Sequence, residues 1–270
     1  MNNIINNPNQ IKVIHFRNKE GSNSLSLHGF TQKELRDKLY NSITNKETEV
    51  TQFYITELNQ MHKTTILHTI QDLIIYSALV ITTSFIKWAW NIYNQLRSLS
   101  TKDTNKQKQL LLTLGTQLSK KKLNTYILNL HNKLQISNYN RTTIYINFNQ
   151  ALVSGNTNDL IDLILLGDQY ELIHEKDTPN KNKLRFLLWS NIMKYAKNDF
   201  ISDIQLSTIE TFFDFYKIFY KLKKNHNIFM IQAIHTLYSP LDSTQIEEYH
   251  LIPLTEVQAI YSKRWHYKVL

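Results

Sequence analysis

The stretch "LYNSITNKETEVTQFYITEL", residues 39–58, is an apolar run, a polar break at "TNKE", and a second apolar run. About a hundred residues later "FNQALVSGNTNDLIDLILL", residues 148–166, repeats that order. Leu35, Leu39 and Ile43 fall on one helical face, and Val50, Phe53, Tyr54, Leu58 and Met61 resume the spacing after the break. "TQKE" from Thr31 has the form of a capping box, with Thr31 accepting from a backbone N–H and Glu34 reaching back. With Ser42 set over Ala151, "TNKE" lies over "VSGN" at an offset of about 109 residues. That period is too long for a tetratricopeptide or ankyrin unit. It predicts two copies of a three-helix module, although two unrelated helical hairpins give the same pattern.

Composition supports a helical chain. Five glycines and four prolines in 270 residues disfavour a fold rich in tight β-turns, and 42% hydrophobic residues suffice for a core. The formal charge of +9 attracts polyanions such as nucleic acid or an anionic membrane surface; a solvated lysine-rich surface is the other reading. With no cysteine, disulfides, thiolate metal sites and a cysteine nucleophile are excluded. The start "MNNIINNPNQ" lacks the basic and apolar regions of a signal peptide. In "LIIYSALVITTSFIKWAW", residues 73–90, only 73–86 are free of charge, short of the ~20 apolar residues a bilayer needs. A buried central helix is expected there.

Residues 1–30 lack helical periodicity and read as an extended arm. "SLSTKDTNKQKQ", residues 98–109, reads as a solvated connection, and Leu123, Tyr126, Ile127, Leu130 and Leu134 as an amphipathic helix. "ISNYNRTTIYINF" suits a strand or a helix; from Ile144 onward Tyr145, Phe148 and Leu152 favour a helix. "HEKDTPNKNK", residues 174–183, is a charged loop, followed by a stripe of Leu184, Leu188, Ile192 and Tyr195. "STIE", residues 207–210, offers a second capping box for a helix with Ile209, Phe212, Phe213, Tyr216, Phe219 and Tyr220 on one face. Ile228, Ile231, Ile234 and Tyr238 follow, and Pro240 stops the run.

Chemical motifs are sparse. The ten histidines show no close metal-ligand spacing, and no phosphate loop, dinucleotide fingerprint or nucleophile elbow is present. Asp159 and Asp162, one turn apart, suit Mg²⁺ or acid–base work, or a helix start where the dipole favours negative charge. Basic segments are the better candidates. Lys120, Lys121 and Lys122 form one. Lys217, Lys221, Lys223 and Lys224 lie among the aromatics of "FFDFYKIFYKLKK", residues 212–224, where stacking and phosphate contact combine in single-strand binders. The period of those aromatics is equally that of a buried face. Lys263 and Arg264 form the third segment, and Trp265 beside them suits an anchor on a protein partner.

"LYNSITNKETEVTQFYITEL", "NDLIDLILLGDQYE", "LRFLLWSNIMKYAKN" and "FYKIFYKLKKNHNIFMIQAIHTL" together resemble an uncharacterised all-α family of large nucleocytoplasmic DNA viruses of the mimivirus type. The resemblance covers roughly residues 31–242. Trp189, Lys221, Lys223, Lys224 and the run Ile231–Ile234 stand where that family's Trp-bearing helix, basic segment and closing helix would place them. "FYITEL" and "LIDLIL" lack the Trp of its "A-x-Y-W-x-x-x-L" helices. The bent module is also similar to the collar region of clamp-loader-type ATPases, which implies assembly and no catalysis.

These readings predict an all-α array of about ten helices, with an arm over 1–30, modules over 31–135 and 136–242, and a tail over 243–270. The expected function is a non-enzymatic viral scaffold in a replication, packaging or virion complex, located in the host cytoplasm or the virion. It would need no cofactor, and its partners would be nucleic acid, an acidic protein or other viral proteins in an oligomer. The alternatives are a minor capsid scaffold indifferent to nucleic acid, and an enzyme in which Asp159, Asp162 and a distant His converge.

Overall fold

The computed structural model describes residues 25–61, 63–80, 83–99, 103–124, 140–179, 182–198, 201–222, 226–238 and 249–263. Among them the fold is all-α, with eleven helices and no strand. In order these are α1 (Gln32–Thr44), α2 (Thr48–Asn59), α3 (Lys63–Ala78), α4 (Thr83–Ser98), α5 (Thr104–Leu118) and α6 (Arg141–Ser154). There follow α7 (Thr157–His174), α8 (Leu184–Asn198), α9 (Asp203–Lys221), α10 (Asn227–Tyr238) and α11 (Leu254–Ser262). Two compact units interleave along the sequence. The first holds the described residues of Met1–Leu73, Gln95–Lys121 and His250–Leu270, and the second those of Ile74–Asn94 and Lys122–Tyr249.

In the first unit α1 pairs with α2, and α5 packs on α2 and α11. Leu35, Leu39 and Ile43 are buried, as their spacing predicts, and the Thr31–Glu34 capping box is formed. Gly115 on α5 sits against α2, where a Cβ would overlap the side chain of Ile55. Ser42 and Thr51 join α1 to α2 through a buried hydroxyl pair at 2.9 Å.

In the second unit α7 packs against α6, α8 and α10, and α9 lies along α10. The aromatic spacing of α9 translates into a ring cluster. Phe212, Phe215, Tyr216 and Phe219 are buried, and Phe215 stacks on Phe229 of α10 with ring centroids 5.5 Å apart. Trp189, on α8, is fully buried beside Phe213 and Tyr216. Each such ring removes roughly 150–250 Å² from water, so this cluster dominates the core of the unit.

Five expectations need correction. The central helix over 73–90 is two helices, α3 ending at Ala78 and α4 starting at Thr83. The connection over 98–109 is solvated only in part, because α5 starts at Thr104 and buries Gln109, whose amide donates to the Ile252 carbonyl at 2.8 Å. Helix α6 begins at Arg141 rather than Ile144, because the Asn140 side chain caps the N–H of Thr143. The "STIE" capping box is not used. Ser202 and Gln205 form one five residues earlier, and Ser207 lies inside α9, donating to the Ile204 carbonyl. The tail contains a helix, α11, with Val257 buried. Most of the arm, residues 1–24, and most of the helix expected over 123–134 lie outside the described residues.

Candidate nucleic-acid interface

Lys120, Lys121 and Lys122 follow Ser119, the C-cap of α5. Cations there complement the carbonyl end of the helix dipole. Lys120 and Lys122 are exposed and Lys121 half-buried. Lys217 and Lys221 are exposed and share a face of α9, four residues apart. Lys217 is spoken for in part, since its ammonium meets Asp214 at 2.7 Å and lies 4.7 Å from the Phe213 ring centroid. Lys263 follows α11 and reaches Glu49 at 3.4 Å, an exposed pair of little energetic consequence. Lys223, Lys224, Arg264 and Trp265 lie outside the described residues.

Asp159 and Asp162 are exposed on α7, and Asp159 stands in its first turn. Asn156 caps that helix and its amide donates to the Asp159 carboxylate at 2.7 Å. Among the described residues no group of three or more His, Asp or Glu side chains is arranged to hold a metal ion. No helix among them is long and apolar enough to cross a membrane.

The acids that are buried are engaged internally. In the first unit, Glu57 accepts from the His28 backbone at 3.2 Å, and Asp72 holds Arg36 in a two-pronged pair. In the second, Arg185 enters the core from α8 and meets α7 and the residue that precedes α10. Its guanidinium donates to Glu171 at 2.7 and 2.9 Å, and also contacts Asp168 and the imidazole of His226. Tyr220 donates to Glu171 at 2.7 Å, and Asn227 to Asp168 at 2.8 Å. One turn beyond Glu171, Glu175 accepts from the Leu184 N–H at 2.8 Å and pairs with Arg141 at 3.1 Å.

Charge pairing outweighs burial at this cluster. Burial alone would raise the Asp168 carboxyl, but His226 and Arg185 hold it below its ordinary value. Glu171 is likewise pushed up by burial and brought lower by Arg185, Tyr220 and Lys183. The Tyr216 hydroxyl, raised by burial, has no hydrogen-bond partner among the described residues, and neither does the Trp189 indole N–H. The sequence reading missed Arg185 because it stands in an apolar helix as an isolated charge. The available signal was Asp168 and Glu171 on α7 and Glu175 at its C-cap, spaced i, i+3 and i+7, which continue the face of Leu160 and Ile164 as an acidic stripe.

Searches of protein-family models, of curated proteins and of solved structures found nothing that matches this chain.

Proposed function

We propose that the chain is a non-enzymatic helical scaffold whose basic surface faces nucleic acid or an acidic protein within a viral replication, packaging or virion complex. The observation that carries the polyanion part is how the fold divides its charges. Among the described residues the buried charged side chains are Glu57, Asp72, Glu171, Glu175 and Arg185, four acids and one base. No described lysine is buried. The buried acids are matched by Arg36, Arg141, Arg185 and Lys183, while the remaining ammonium groups stay in solvent, so the net positive charge of the chain is displayed at its surface. The viral setting, in host cytoplasm or virion, rests on the resemblance of residues 31–242 and its Trp189 helix.

A scaffold indifferent to nucleic acid is the second reading, favoured by Leu172 and Ile173, adjacent and both more than half exposed at the end of α7. Charge reversal separates the two. Lys120→Glu with Lys122→Glu touches no described ion pair and loses only the favourable charge at the end of α5, so the thermal midpoint should fall by a few degrees at most while affinity for a DNA duplex at low salt falls about tenfold or more. Unchanged affinity would favour the second reading.

A further inference from the structure

The facing sides of α6 and α8 depart from the packing that builds the rest of the second unit. Ile144, Phe148 and Ala151 on α6, and Leu188, Ile192 and Ala196 on α8, are buried. Beside them, residues 145, 149 and 152 on α6 and residues 191, 195 and 198 on α8 are spaced i, i+4, i+7 and read Tyr, Asn, Leu and Asn, Tyr, Asn. With Val153 and Lys194 they line a groove of about 410 Å³. That volume lies within the range of small-ligand sites. Tyr145, Asn149, Asn191 and Tyr195 are half-buried and Val153, Lys194 and Asn198 exposed, so the groove is open to solvent and to a ligand.

The groove's own hydrogen bonds leave a defined remainder. Tyr145 donates to Asn191 at 3.3 Å, and Asn191 donates to Asn149 at 2.7 Å. The amide N–H₂ of Asn149, the amide of Asn198, the Tyr195 hydroxyl and the Lys194 ammonium have no partner among the described residues. Among the described residues no carboxylate lines the groove, and Lys194 is the one charged group there. The groups left facing solvent are mostly donors, and the charge is positive. An occupant that complements them is rich in acceptors, anionic, and flat enough to lie against a tyrosine ring from each wall.

We propose that this groove holds one unpaired base of a single-stranded nucleic acid, with the base against Tyr145 and Tyr195 and a flanking phosphate at Lys194. Base–aromatic stacking with amide contacts to base edges is the usual chemistry of single-strand recognition. A partner helix is disfavoured, because a cylinder roughly 10–12 Å across needs a longer trough than a pocket of this size. The inference goes beyond the scaffold reading and rests on its nucleic-acid form.

The test is fluorescence anisotropy of the 270-residue chain with a labelled oligothymidylate and with a duplex of equal length. Tyr195→Ala should weaken single-strand binding about tenfold and leave duplex binding unchanged, while Tyr195→Phe retains the affinity. Lys194→Ala, at an exposed position that folding tolerates, should lower the salt slope for the single strand by about 0.7. Wild-type single-strand binding that neither Tyr195→Ala nor Lys194→Ala alters overturns the groove and leaves the scaffold reading standing. Absence of salt-dependent binding to both nucleic acid and polyglutamate overturns both. Capture of polyglutamate without capture of the oligonucleotide overturns the base site and keeps the acidic-partner form of the scaffold.

Discussion

Lys46 and Gly155 stand 109 residues apart and hold the same left-handed backbone, φ 62° and 71°, in the corners α1–α2 and α6–α7. The aligned residues that follow, Glu47 and Asn156, are the N-caps of α2 and α7. The backbone of the turn is therefore the same, and its chemistry is not. The second corner has the glycine that this conformation favours and a side chain that caps the next helix. The first makes the turn with a lysine and leaves its N-cap without a side-chain hydrogen bond. The helices beyond differ further. Helix α2 buries a single acid, Glu57, whereas Asp168, Glu171 and Glu175 on and just after α7 hold neighbouring helices through Arg185 and Arg141. A corner sets the direction of a hairpin, and the second helix decides what the hairpin is tied to.

The largest expected effect breaks the second hairpin at its charged core. Arg185→Met leaves Glu171 buried without its main partner and should destabilise the protein by about 3–5 kcal/mol in denaturant unfolding. Arg36→Met leaves Asp72 buried but removes a guanidinium that is itself part-exposed, and should cost less. The pH dependence sharpens this. Asp168 and Glu171 have folded pKa values below their unfolded ones, so their stabilisation is complete above the unfolded values near ~4 and drains away as pH falls through the folded ones. The wild-type melting temperature should thus keep this contribution down to about pH 4–5 and lose it below, while Arg185→Met loses that acid limb. A limb identical in both proteins would remove Arg185 as its origin.

The corners themselves come next, with effects of opposite sign. Gly155→Ala introduces a Cβ that meets nothing closer than Tyr238 at 3.6 Å, so its cost is the left-handed backbone alone, roughly 1–2 kcal/mol. Lys46→Gly relieves the same strain and should stabilise by about 0.5–1 kcal/mol, the gain reduced by the greater unfolded-state freedom of glycine. Two destabilising results would mean that the lysine side chain contributes something its backbone conceals.

The sequence disclosed what is periodic. Leu35, Leu39 and Ile43, the capping box at Thr31, and Phe212, Tyr216 and Phe219 are all legible because one residue type recurs on one face. Helix α11 was hidden because its nine residues bury only Val257, too little for an apolar stripe. The break between α3 and α4 was hidden because "ALVITTSF" has neither Gly nor Pro to mark it. The start of α9 went to the wrong serine, since Ser202 and Ser207 both precede a residue able to complete a capping box. At the candidate interface, the lysines were legible as composition, but the pairing of Lys217 with Asp214 depends on rotamer and the Arg185 network on tertiary packing.

Whether the solvent-facing lysines form a surface that binds polyanions is measured directly by the affinity of the wild-type protein for DNA across a salt series. Binding whose logarithm falls linearly with the logarithm of salt, with a slope of several units, is the predicted result. A flat line, or no binding at low salt, would contradict it.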